Sequence, residues 1–110
     1  MTHYAIANLR NVRVGAEIVE YLQRIDATLE PFDGHFIVHG GVPEYVEGVW
    51  KGSLIVIEFP SYEHARGWYD SPEYRKILPL RTDNADGVTM LLEGVDRSHQ
   101  ATDVLTEILT

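Results

Sequence analysis

The chain has 110 residues, 45% of them apolar and 24% charged, the balance of one ordinary globular domain. Its formal net charge of −8 repels phosphate backbones and anionic lipid, which argues against nucleic-acid and membrane-surface roles. The absence of cysteine excludes disulfides, thiolate metal sites and cysteine nucleophiles, and with neither a signal-peptide pattern nor a membrane-length apolar run a cytoplasmic location is expected.

"HYAIANLR" (3–10) alternates as a strand does. Val14, Ile18, Tyr21, Leu22, Ile25 and Leu29 follow at spacings of three and four, the stripe of a helix facing a core. Pro31 and Gly34 close that helix, Gly34 being placed to take a left-handed conformation. "HFIVH" (35–39) is the second strand. "GGVPEYVEGVWKG" (40–52) is a long turn with a short extended segment expected around Val46–Trp50. "SLIVIEF" (53–59) is the third strand, and Ser61 caps a helix whose buried stripe is Ala65, Trp68 and Tyr69. In "SPEYRKIL" the Ser71 cap and Pro72 restart a helical turn, and "VTMLLE" (88–93) is the fourth strand.

The order β-α-β-β-α-β predicts an α+β, ferredoxin-like domain over residues 1–95, with a four-stranded antiparallel sheet and helices on one face. A second copy packed sheet to sheet is the simplest cover for the other face, giving a homodimer. Residues 96–110 form a tail, either disordered or a short helix carrying Val104, Leu105, Ile108 and Leu109 on one side.

Strand alternation yields an apolar set, Ala5, Ala7, Leu9, Phe36, Val38, Ile55, Ile57, Phe59, Val88, Met90 and Leu92. The mixed set holds Tyr4, Ile6, Asn8, Arg10, His35, Ile37, His39, Leu54, Val56, Glu58, Thr89, Leu91 and Glu93. Grouping them across strands assumes that the apolar sets share a face, and a one-residue slip would exchange a strand's members. Glu58 falls near Tyr4 and His35 in this topology. It is either a partner of His35 in an ion pair or a carboxylate tuned for proton transfer.

The Gly40–Gly41 pair, "EG" at 47–48 before Trp50, "VIEFPS" (56–61) and "WYDSPEY" (68–74) occur in the order seen in the bacterial family called domain of unknown function 1330, which residues 3–95 resemble. The resemblance implies the dimeric α+β barrel, two ferredoxin-like sheets closed face to face, and no established reaction. The wider superfamily contains haem-degrading and cofactor-free quinone-forming monooxygenases, lactone isomerases and small-molecule-binding domains of regulators, with sites between sheet and helices. Asn8 and Trp68 match two positions of the haem-degrading enzymes, but Leu78 stands where their axial histidine would be and cannot ligate iron.

A cofactor-independent enzyme acting on a small organic molecule by isomerisation, cyclisation or oxygenation is therefore expected, against a non-catalytic ligand-binding or stress-associated dimer. The candidate catalytic residues are Asn8, to orient an oxygen, and Glu58 or His39, to move a proton. Trp68, Tyr69, Tyr74, Arg81, Tyr4 and His35 are candidate substrate contacts, Arg81 as the anchor of an anion. The five histidines have no metal-site spacing, so no metal is expected, and the expected chemistry uses no cofactor.

Overall fold

The structure, a computed structural model, describes residues 1–109. Strands β1 (His3–Arg10), β2 (His35–His39), β3 (Ser53–Phe59) and β4 (Asp86–Glu93) form one antiparallel sheet in the order β2-β3-β1-β4. Helix α1 (Ala16–Leu29) joins β1 to β2, while α2 (Tyr62–Asp70) and α3 (Pro72–Thr82) join β3 to β4. This is the ferredoxin-like arrangement, with its second crossover helix broken in two. The break is local chemistry. Pro72 disfavours helical backbone at the residue before it, and Ser71 is extended there with ψ 145°. Ser71 then caps α3, its Oγ accepting from the Tyr74 N–H at 3.2 Å and donating to the Trp68 carbonyl at 2.7 Å.

The core lies on one face of the sheet. Ala5, Ile57 and Phe59 meet Tyr21, Ile25 and Leu29 of α1, Ala65 and Trp68 of α2, and Tyr74 and Ile77 of α3. Trp68 is 2% exposed, and its indole N–H donates to Thr28 Oγ1 at 3.0 Å, which ties α2 to α1. The indole expected as a polar handle in a pocket is thus already satisfied within the core.

The left-handed residue after α1 is Asp33 (φ 54°), not Gly34, because Pro31 opens a 3₁₀ turn over Glu30–Phe32 that moves the reversal one residue earlier. Gly34 is needed for space instead. A Cβ there would stand 2.6 Å from Phe59 Cε1 and 2.9 Å from Leu29 Cδ2. The extended segment expected around Val46–Trp50 is also absent. Gly40, Gly41, Gly48 and Gly52 all have positive φ, which interrupts any strand between them.

The division into faces changes at two places. Pairing of Ala5 with Leu91 and Ala7 with Thr89 puts Leu91 and Thr89 on the helix side, so Val88, Met90 and Leu92 face the open side. In β2 a bulge inserts one residue between Phe36, opposite Ile57, and Val38, opposite Val56. Val38 consequently joins the open face and His39, opposite Ile55, turns to the helix side. Beyond the sheet, a 3₁₀ turn at Ala101–Asp103 leads into α4 (Val104–Leu109), where Val104 and Leu105 are exposed. The side chains of Ile108 and Leu109 lie outside the described ones. Among the described residues no helix is long and apolar enough to cross a membrane.

Candidate functional site

Between the sheet and helices α1 and α3 lies a cavity of about 340 Å³. Leu9, Ile55 and Ile57 form its floor, and Ile18, Leu22 and Ile25 of α1 form its wall. The sequence places these residues there through the 3.6-residue period of α1 and the two-residue period of the central strands. Size and apolar lining both suit a small organic ligand, at the low end of the usual range of roughly 300–1,000 Å³. Although the chain has 17 aspartates and glutamates, none of the described ones lines this cavity.

Its strongest polar feature is a cluster on the helix side. The hydroxyls of Tyr21 and Tyr74 are 2.7 Å apart, joining α1 to α3. Tyr74 and Arg81 are two turns apart on the inner face of α3, so the long arginine side chain can lie back along the helix. The Arg81 guanidinium carbon stands 5.9 Å from the centre of the Tyr21 ring. Arg81 is only 9% exposed, and among the described residues it has no carboxylate partner. Burial works against its charge, yet the oxygens of Tyr74 and Tyr21 beside it raise its pKa on balance. Burial, reinforced by the neighbouring Tyr74, pushes the Tyr21 phenol well above the ordinary tyrosine value, so its hydroxyl stays protonated at neutral pH.

His39 reaches the cavity from the sheet side, stacked on the Phe36 ring with centroids 4.3 Å apart and planes at 8°. The β2 bulge makes this possible. With regular alternation His39 would share the face of His35, as the sequence suggested. Bulges of this kind often re-aim a side chain beside a functional site.

The other predicted residues are elsewhere. Tyr4, Asn8, His35 and Glu58 all belong to the open face, with Glu58 between Tyr4 and His35 across the strands. The expected ion pair is not formed, because His35 Nε2 instead meets Asp33 Oδ1 at 3.0 Å. Asn8 Oδ1 is buried and has no hydrogen-bond partner among the described residues. Asn8 and Glu58 are therefore separated by the sheet from His39, Tyr74, Arg81 and Trp68, which line the cleft. Tyr69 packs edge-on against Trp68, and the Arg75 guanidinium lies 4.9 Å from its ring centre, outside the cavity lining. Leu78 packs against the core. Among the described residues no three His, Cys, Asp or Glu side chains gather as metal ligands. In the sequence Tyr21 reads as one more apolar stripe position. Its hydroxyl, which needs a partner once buried, was the available signal.

Residues 2–95 match the sequence pattern of a family described as Domain of unknown function (DUF1330). The chain belongs to this family. No protein of curated function matches the DUF1330 chain. It is similar in fold to a protein of unknown function from Rhodopseudomonas palustris, with TM-score 0.64 and 16% identity over 86% of this chain and 83% of that one. A dimeric ferredoxin-like protein of unknown function from Jannaschia sp. CCS1 gives TM-score 0.67 and 10% identity, over 86% of this chain and 100% of the other. A mutant form of SnoaB, a cofactor-independent oxygenase from Streptomyces nogalater, gives TM-score 0.54 and 10% identity, over 86% and 94%. At these identities the likeness is one of fold, and it supports the ferredoxin-like reading of the DUF1330 chain.

Proposed function

We propose that this DUF1330 protein is a homodimer that binds a small organic molecule in the cleft of each subunit and acts on it by a cofactor-independent proton transfer through His39. The observation that carries the reading is the apolar cavity of about 340 Å³ with the Tyr21–Tyr74–Arg81 cluster set into one wall. An apolar enclosure with a few convergent polar groups is how small-molecule sites are built. The dimer is supported by the open face of the sheet, where Val88, Met90 and Leu92 are about half exposed or more, beside a buried, unpartnered Asn8 oxygen. The description of the Jannaschia protein as dimeric points the same way. Among the possible reactions are isomerisation, cyclisation and oxygenation, the last being the activity class of SnoaB.

A second reading, ligand binding without catalysis, is favoured by one feature: among the described residues His39 has no hydrogen-bonding partner to fix its tautomer. A thermal-shift screen of metabolites, followed by mass spectrometry of each stabilising compound after incubation, separates the two. Turnover lost in His39→Gln with binding retained supports the proton-transfer reading. A ligand recovered unchanged at all times overturns it and leaves the binding reading.

A further inference from the structure

We propose that the cleft selects a compact organic monoanion, a carboxylate on an apolar, ring-sized body, held by the Arg81 guanidinium and one phenolic O–H of the Tyr21–Tyr74 pair. This rests on the reading of the cleft as a ligand site and adds the chemical class of the ligand. The first ground is a donor excess. Two phenols 2.7 Å apart use one O–H between them, which leaves the second O–H without an acceptor among the described residues. Beside it stand the five N–H donors of Arg81, none bonded to a carboxylate or a backbone carbonyl there. The other cationic side chains with partners bond to carboxylates or carbonyls at the surface: Arg24 to Glu20, Arg66 and Arg75 to Asp70, and Arg13 to the Asp83 carbonyl.

The second ground is the cost of the arrangement. A buried guanidinium without a counter-charge is unfavourable unless something completes it. In a chain with 17 acidic residues an internal carboxylate was available to evolution in quantity, yet among the described residues none lines the cavity. The missing charge is supplied by the ligand. One guanidinium and one hydroxyl match the two oxygens of a carboxylate in the planar fork geometry arginine favours. A phosphate dianion would leave negative charge uncompensated against Ile18, Ile25 and Ile55. Those side chains enclose the ligand's apolar body, with the stacked Phe36 and His39 rings at its other end.

Calorimetric titration of the intact protein with benzoate, cyclohexanecarboxylate and 2-naphthoate, each beside its primary amide, tests this. The expected result is a preference of about tenfold or more for the acid, the worth of a charge-assisted hydrogen bond. Arg81→Met is expected to abolish the preference while still binding the amide, and to melt no lower than wild type because an uncompensated charge has been removed. Tyr74→Phe is expected to reduce the preference without abolishing it. Acid and amide bound equally well would overturn the anion proposal and leave the cleft as a ligand site. No binding of any compound at millimolar concentration, together with a lower melting temperature for Arg81→Met, would overturn both, showing Arg81 to be a structural group.

Discussion

Gly34 sits where the chain enters β2, and its role follows from what surrounds it. With Phe59 and Leu29 as close as its missing Cβ would find them, Gly34→Ala forces the Phe59 ring and the Leu29 side chain to shift within the core. A loss of about 1–3 kcal/mol is expected by urea denaturation, the usual range for overpacking. Tyr21 gives a pH signature. Its folded-state pKa is raised above the unfolded value of 10.0, so the folded chain keeps a proton that the unfolded chain releases. Its stabilising contribution is complete below pH 10 and declines above it, at up to about 1.4 kcal/mol per pH unit. Urea midpoints measured between neutral pH and pH 11 should show that decline in wild type and a shallower one in Tyr21→Phe. At this scale the sequence showed residue types and spacings but not contacts. Arg81 and His39 were legible as polar residues near a cleft. Asn8 and Glu58 were not separable from it, because which face a strand residue takes depends on register, and register is a property of pairs of strands.

Among the elements, the two crossover helices show why some boundaries are readable. The dipeptide Ser71–Pro72 carries both the stop of α2 and the cap of α3, and each follows from local sterics and hydrogen bonding. Ser71 is buried, whereas Ser61, the cap of α2, is partly exposed, its Oγ accepting from the His64 N–H at 3.2 Å and lying 2.6 Å from His64 Nδ1. Ser71→Ala is therefore expected to cost about 1–2 kcal/mol and Ser61→Ala less, measured by thermal or urea unfolding. The bulge in β2 is the opposite case. Nothing in "HFIVH" marks an inserted residue, since its apolar residues suit either face, and the reassignment of His39 appears only once β3 is laid beside it. The fourth strand misled for a related reason. Val88, Met90 and Leu92 form its more apolar set, but pairing with β1 turns them away from the helices, and apolarity alone does not report that pairing.

At the scale of the whole molecule, one face of the sheet has its cover and the other does not. Met90, 48% exposed and paired with Ile6, lies midway along the edge strand β4 on the open face. In the proposed homodimer Met90→Glu would bury an unpaired charge, and sedimentation velocity is expected to show association weakened by at least about 3 kcal/mol, roughly a hundredfold. Unchanged sedimentation would mean that the two copies meet elsewhere. Such an interface would give Asn8 and Glu58 a structural setting, on the side of the sheet facing the partner, while the chemistry stays on the helix side. The two faces of the sheet thus divide the work between assembly and ligand. Backbone and methyl NMR of isotopically labelled protein titrated with 2-naphthoate distinguishes the two faces. Shifts concentrated at Ile18, Tyr21, Ile55 and Arg81, extending to His39, are expected. Shifts centred instead on Tyr4, Asn8, Glu58 and Met90 would contradict this division, placing the ligand on the open face of the sheet.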